Sequence, residues 1–275
     1  DTASQIRYGL GAVKGTGEGA VQAIVNGRQS GPYKDLFDFC MRVDRHQINR
    51  RTIESLIRAG AFDSLGKSRE VLLESLGLAL EAADQAATAE GQESLFGDED
   101  AVQNVVSYVD TSVWTNKKRL QEEKGVLGFC MTGHFFTDYT KEAKQYTKTS
   151  LKGLQVSRDA QWIVGVVSDY RIQTLRRGGR IMLVSLEDGT AKIEVSLYDE
   201  MIESRQHVIV QDEFLAVFAK VSESQQGPRV TALEVLNLEE TRQQFGDYIQ
   251  FTLPEAYSLD KIKTLLMPYR SEEGM

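Results

Sequence analysis

Two glycines one residue apart, Gly15 and Gly17, stand directly before a predicted helix near the start of the chain. Glycine tolerates a positive φ and has no side chain, so a ligand can approach its backbone closely. The first amides of a helix have no partner within the helix, and the helix dipole adds positive charge there. The pair therefore predicts a phosphate-binding turn before a helix with Val21, Ile24 and Val25 on one face.

A helix-hairpin-helix built on these glycines would hold the phosphates of duplex DNA without reading base sequence. Lys14 adds a point charge at the same position, whereas Glu18 in the first helical turn would repel a phosphate unless it points away. The predicted contacts of this unit are Lys14, Gly15, Thr16 and Gly17. An ordinary glycine-rich turn that caps a helix is the alternative, because a lone glycine motif is weak evidence.

A second helix start of the same kind is predicted at Asn49. Asn49 suits an N-cap, and Gly60 is suited to end the helix that follows it. The apolar residues on one face of that helix are Ile53, Leu56 and Ile57. The predicted duplex contacts here are Asn49, Arg50 and Arg51. Two such units in tandem favour DNA binding over capped turns, although an exposed arginine pair is also typical of a solvated surface.

Charge is unevenly distributed along the 275 residues, whose formal net charge is −8. Residues 1–69 hold 11 basic and 7 acidic side chains, residues 117–160 hold 9 and 5, and residues 70–116 hold none and 10. The basic excess coincides with the hairpin and suits nucleic acid. The acidic block is expected to contact a protein instead.

Several classes of protein are excluded by composition. The sequence has no run of 18 apolar residues and no apolar leader at its start, so we expect a cytoplasmic protein with no membrane partner. Cys40 and Cys130 are isolated and the three histidines are scattered, which indicates buried thiols and no disulfide or metal site. Nothing in residues 101–160 resembles a catalytic dyad.

A short apolar patch, Gln92-Glu-Ser-Leu-Phe96, lies inside the acidic block. Leu95 and Phe96 have no apolar neighbours in sequence, so they are suited to enter a pocket on a partner while the amide of Gln92 makes hydrogen bonds. Composition is equally compatible with the pair folding back onto this chain's own helix.

From residue 161 the hydrophobic period changes from helical to two. Strands are predicted at residues 162–171, 180–187, 191–198, 213–222 and 229–237, with a helical turn after the third, which is the order of an OB-fold. The predicted single-strand contacts are Arg176, Arg177 and Arg180 in the first loop and Lys192 on the third strand. Because residues 161–237 carry a net charge of −3, a barrel kept for protein contacts remains the alternative.

The sequence thus predicts an α+β multidomain chain. Its parts are an all-helical helix-hairpin-helix domain (1–90), an acidic segment (91–116), a helical linker (117–160), a five-stranded OB-fold barrel (161–237) and the start of a small C-terminal domain (238–275). The last unit looks incomplete, so we expect a fragment.

Together these segments resemble the C-terminal half of the alpha subunits of bacterial replicative DNA polymerase III. Residues 6–21 are similar to the family's hairpin segment, with Thr16 where an aliphatic residue is more usual, and residues 49–63 match its second unit closely. Residues 127–134 resemble the family's linker, although Phe135 replaces the usual proline. Gln92–Phe96 stands where the family keeps its internal sliding-clamp motif.

The resemblance implies partners and roles. Gln92, Leu95 and Phe96 would bind the sliding clamp, the hairpins would hold primer-template duplex, the barrel would contact single-stranded template, and residues 238–275 would begin the part that binds a clamp-loader subunit. In the family, nucleotidyl transfer uses metal-binding aspartates of an upstream palm domain. We therefore expect no catalytic residue and no cofactor in this fragment, and Mg²⁺ in the parent polymerase.

Three other interpretations share parts of this pattern. An error-prone paralogue of the same family would share most of these features, and a non-enzymatic DNA-binding or scaffold module would share several. A bacterial DNA ligase also combines a barrel with hairpins, but there the barrel comes first and cysteines bind zinc. Here the order is reversed and the chain holds only two cysteines.

Overall fold

The computed structural model describes residues 7–91, 107–176, 178–224, 227–246 and 259–269. Helices predominate in the described residues before residue 160, and strands predominate from residue 161 to residue 236. The helices of the first part are α1 (Glu18–Gly27), α2 (Leu36–Arg42), α3 (Arg50–Arg58), α4 (Arg69–Gly91), α5 (Asn116–Leu127) and α6 (Thr140–Tyr146).

The first four helices share one apolar core, which confirms an all-helical N-terminal domain. Its fully buried members come from α2, α3 and α4 (Leu36, Cys40, Ile53, Ile57, Leu72 and Leu76). Helix α2 begins at Leu36, where the Asp35 carboxylate caps it by accepting the Asp38 amide at 2.8 Å. Burial in this core raises the pKa of the Cys40 thiol to about 12.

The predicted buried face of α1 is partly wrong. Its buried residues are Ala20, Ala23 and Ile24, whereas Val25 is 50% exposed. Residues at i, i+3 and i+4 share a helix face, and alanines at these positions let α1 approach the core closely. The small residues therefore define the buried side, which a search for large apolar residues does not reveal.

Helix α5 joins the helical domain to the rest of the chain. Leu127 at its end belongs to the core of the first four helices, while Leu120 packs with residues of the strand region. Between them, the fully buried Glu123 pairs with Arg69 at 3.2 Å. The same carboxylate accepts the amides of Met131 and Thr132 at 2.7 and 3.0 Å.

The strands form a closed five-stranded barrel in the order β1-β2-β3-β5-β4, which confirms the OB-fold. A parallel contact between β3 and β5 closes it, whereas the other neighbouring pairs are antiparallel. The elements are β1 (Gln161–Thr174), β2 (Arg180–Glu187), β3 (Lys192–Tyr198), α7 (Asp199–Arg205), β4 (Phe214–Ser222) and β5 (Arg229–Leu236).

The outer face of β1 and β4 is covered by the linker. Residues 163–167 are buried on both sides of the sheet, because one side faces the barrel interior and the other packs under α5 and α6. The covering contacts include Leu120 and Tyr146 of the helices with Val164 and Phe214 of the strands. Lys117 and Lys124 of α5 add ion pairs to Glu213 and Asp212 just before β4.

In the described residues after the barrel, the α-helices are α8 (Leu238–Phe245) and α9 (Leu259–Leu266). Asn237 and Glu240 form a capping box at the start of α8, and Arg242 of that helix pairs with Glu142 of α6 at 2.6 Å. None of the helices that the structure describes is long and apolar enough to cross a membrane.

Candidate nucleic-acid interface

The glycine hairpin leaves backbone amides at the surface. Gly15 has a φ of +82°, the left-handed region that favours glycine, and Gly17 is the N-cap of α1 without a side-chain cap. Gly15, Gly17, Glu18 and Gly19 are exposed. The amides of Gly15, Gly17 and Glu18 donate to no acceptor within the described part of the chain. The amides required for phosphate binding are therefore open.

Contacts from two other helices hold this turn in place. The Thr52 hydroxyl of α3 donates to the carbonyl of Gly15 at 3.0 Å. The amide of Lys14 donates to the carbonyl of Val126 at the end of α5 at 2.9 Å. These bonds fix the backbone on the inner side of the turn. The amides on its outer side are therefore held in a defined position.

Thr16 lies on the inner side and is 7% exposed. Its amide donates to the Val13 carbonyl at 3.0 Å, and its hydroxyl has no hydrogen-bond partner among the residues that the structure describes. The structure therefore does not support Thr16 among the predicted phosphate contacts, because neither polar group faces solvent. An aliphatic side chain at this position would fill the same space without an unpaired hydroxyl.

The second predicted unit is in contact with the first. Asn49 caps α3 as predicted, since its side chain accepts the Thr52 amide at 2.9 Å. Thr52 in turn holds Gly15, so the first turn of α3 lies against the hairpin. The structure thus brings Gly15 and Asn49 together, although their sequence positions are far apart.

The predicted cations of this surface differ in how much charge they leave free. Arg50 pairs with Glu54 in the next helical turn at 2.9 Å. Lys14 and Arg51 are exposed, and neither has an ion pair among the described residues. Glu18 is also exposed beside the open amides. Lys14 and Glu18 therefore flank the open amides in sequence, and Arg51 lies on the first turn of α3, which contacts the hairpin through Thr52.

The predicted clamp motif, Gln92, Leu95 and Phe96, lies outside the described residues. Arg177 of the barrel loop does as well.

The barrel cations are mostly matched by carboxylates. Arg180 pairs with Glu203 at 2.9 Å, and Lys192 pairs with Glu187 at 3.1 Å. The Lys192 ammonium, by hydrogen bonding, lowers the pKa of Glu187 against the opposing effect of burial. Arg176 is exposed in the turn between β1 and β2. The predicted single-strand set therefore offers less free charge than its residue types suggest.

Models of two protein families match this chain. A helix-hairpin-helix motif matches residues 2–72, and an OB-fold nucleic acid binding domain matches residues 161–238. Both matches coincide with the domains seen in the structure.

Several proteins similar to this chain are alpha subunits of DNA polymerase III. DNA polymerase III subunit alpha of Escherichia coli K12 is 36% identical over 281 residues, covering 97% of this chain and 24% of that protein. The subunits of Neisseria meningitidis serogroup B and Vibrio cholerae are also 36% identical, over 97% and 98% of this chain. The chain spans about a quarter of the length of these relatives.

Among solved structures, the second OB-fold domain of replication protein A from Methanococcus maripaludis overlaps 33% of this chain and 94% of that domain, at 16% identity and a TM-score of 0.27. This overlap is too slight to support any argument about function.

Proposed function

This chain is homologous to part of the bacterial DNA polymerase III alpha subunit, and we propose that it is the part that holds DNA while the polymerase works. Its helical domain binds primer-template duplex through the amides of the glycine hairpin. Its barrel contacts single-stranded template. Nucleotidyl transfer, with the Mg²⁺ it needs, takes place in a part of the polymerase upstream of this one.

One observation carries the proposal: the amides of Gly15, Gly17 and Glu18 are exposed at the start of a ten-residue helix, with no acceptor among the described residues. Backbone amides at a helix N-terminus bind phosphate oxygens without regard to the bases. Lys14 and Arg51 add free positive charge at the same surface. The surface therefore suits a sequence-independent contact with a duplex.

The salt dependence of duplex binding tests this function. Each lysine or arginine that neutralises a phosphate contributes about −0.9 to the slope of log K against log salt concentration. Lys14→Ala and Arg51→Ala should each make the slope shallower by about 1, whereas Lys34→Ala, which removes an exposed lysine elsewhere, should leave it unchanged. Fluorescence anisotropy with a labelled duplex measures the slope, and equal slopes for all variants would contradict the proposal.

We propose that Gln92, Leu95 and Phe96 bind the sliding clamp of the replication machinery. The support is this chain's sequence alone: a glutamine is followed by a Leu-Phe pair inside an acidic segment. Leu95→Ala combined with Phe96→Ala should lower clamp affinity at least tenfold in surface plasmon resonance. Val113→Ala, which truncates an apolar side chain that is 82% exposed, is the control. Equal affinity of both variants would reject this role.

The remaining partners follow from the same homology. We propose that Arg176, Arg177, Arg180 and Lys192 contribute weak single-strand contacts, the pairing of Arg180 and Lys192 with glutamates being the reason that they are weak. Residues 238–275 begin the part that meets a clamp-loader subunit. The parent polymerase acts in the cytoplasm.

A further inference from the structure

The segment from α6 to β1 carries an excess of positive charge that none of the predicted contacts uses. Residues 141–158 hold five basic residues and one acidic residue. The five are exposed, and none has an ion pair among the described residues (Lys141, Lys144, Lys148, Lys152 and Arg158). The acidic residue, Glu142, pairs with Arg242 at 2.6 Å. The charge of the five is therefore free.

Three of these lysines gather around the turn between β2 and β3. Lys144 and Lys148 line a surface cavity of about 270 Å³ together with Thr190 of that turn. The amide of Lys152 donates to the Thr190 hydroxyl at 3.3 Å. Lys144, Lys148 and Lys152, which are four residues apart in sequence, therefore lie around the turn between β2 and β3.

The carboxylates near this turn are already engaged. Asp188 accepts the amides of Leu151, Thr190 and Ala191 at 2.8, 2.8 and 3.1 Å, and also the Thr190 hydroxyl. These hydrogen bonds hold the pKa of Asp188 below its ordinary range despite the opposing effect of burial. Glu187 pairs with Lys192. Neither carboxylate forms an ion pair with the three lysines, which remain available to an anion.

The same segment forms one wall of a groove on the barrel. Leu151, directly before Lys152, is buried in the barrel core. With Leu154 it lines a groove of about 790 Å³ whose other walls come from β2, β3 and the start of β5, among them Leu183, Glu194 and Arg229. Lys152 therefore adjoins this groove, and Lys144 and Lys148 line the separate cavity beside the same segment, so a chain-like anion on the cavity can continue into the groove.

We propose that Lys144, Lys148 and Lys152 bind the phosphates of a single DNA strand that lies along this groove. The inference rests on the proposed DNA-holding function and moves the main single-strand contact away from the arginine loop. Arg180 and Lys192 each share their charge with a glutamate, whereas the three lysines do not. A phosphodiester chain suits them because it supplies one anionic group per nucleotide, which a row of point charges can match.

Fluorescence anisotropy tests the inference. It measures how tightly the whole chain binds a labelled thymidine oligonucleotide across a series of salt concentrations. The triple variant Lys144→Ala, Lys148→Ala, Lys152→Ala should lose about tenfold in affinity at moderate salt. Its salt slope should become shallower by about 2, since each single-strand phosphate contact contributes about −0.7. Duplex affinity should change less than twofold. Replacement of the same lysines by arginine should restore binding.

The control removes three exposed lysines that also lack ion pairs in the described part, Lys34→Ala, Lys261→Ala and Lys263→Ala. Equal single-strand affinity of the two triple variants would overturn the inference. So would wild-type binding of duplex without binding of single strands, which leaves the hairpin function intact. If the wild type binds neither duplex nor single strands, both the hairpin function and the lysine site are wrong. If it binds polyglutamate but not the oligonucleotide, the lysines bind an acidic protein instead.

Discussion

Among single residues, Thr16 has a buried hydroxyl on the inner side of the hairpin, with no hydrogen-bond partner in the described part of the chain. A buried hydroxyl without a hydrogen bond costs about 1 to 3 kcal/mol. Thr16→Val keeps the shape and removes the hydroxyl, so we expect the free energy of unfolding to rise by about 1 kcal/mol and duplex affinity to stay the same. Urea unfolding measures the first and anisotropy the second. A less stable variant would show that the hydroxyl is satisfied.

Glu18 opposes DNA binding at the same surface. Its carboxylate suits the helix dipole, which stabilises α1, but it stands beside the amides that would receive a phosphate. Glu18→Gln should therefore raise duplex affinity about threefold to tenfold while it lowers the melting temperature slightly. Glu81→Gln, the same change at an exposed position of α4, should affect neither. Unchanged affinity of the Glu18 variant would mean that its carboxylate points away from bound DNA.

At the scale of elements, the buried pair of Arg69 and Glu123 ties α4 to α5. Removing one partner of a buried pair leaves an uncompensated charge and costs about 3 to 5 kcal/mol. Glu123→Gln keeps an oxygen for the Met131 and Thr132 amides but leaves Arg69 unpaired there. We expect a loss of about 3 kcal/mol in urea unfolding, against almost none for Glu81→Gln. A loss below 1 kcal/mol would show that Asp63, the other partner of Arg69, suffices.

The contact between α6 and α8 should depend on pH. Hydrogen bonding from Arg242 lowers the pKa of Glu142 below its ordinary value of 4.5. The carboxylate therefore stabilises the folded state above pH 4.5, and this contribution disappears as the pH falls through the lower folded pKa. Glu142→Gln should be less stable than the wild type at pH 7, by less than ~1 kcal/mol because Arg242 is exposed, and the difference should shrink as the pH falls below 4.5. Thermal melts across a series of acidic pH values check it, and a difference that does not shrink with falling pH would contradict the assignment.

At the scale of the whole molecule, sequence predicted more of the fold than of the surface. The change of hydrophobic period at residue 161, the caps at Asn49 and Gly60 and the five strands are local signals, and the structure confirms the elements they indicate. What sequence did not indicate depends on contacts between distant residues. The pairing of Arg69 with Glu123, the support of Gly15 by Thr52 and the neutralisation of Arg180 by Glu203 each join positions that only the fold brings together.

The same limit applies to Thr16 and to the linker lysines. Thr16 lies between two exposed glycines in sequence, yet the turn directs its side chain inward. The lysines stand in a segment whose positive excess is visible in the sequence, but only the structure shows three of them around one barrel turn without acidic partners. Charge counts therefore locate a basic region, whereas the fold decides which of its cations are free.

The central claim is that the exposed amides at the start of α1 hold the duplex, and Gly17→Ala tests it most directly. Gly17 has a φ of −81°, which alanine adopts freely, and no atom lies within 4 Å of an added Cβ. The methyl group would therefore leave the fold intact at a cost below about 1 kcal/mol while it blocks the approach of a phosphate.

Gly9→Ala is the matched control, because Gly9 has a φ of −71°, caps a short helix and is equally open to an added Cβ. Anisotropy with a labelled duplex should show about tenfold weaker binding for Gly17→Ala and no change for Gly9→Ala. Equal duplex affinity of the two folded variants would contradict the account.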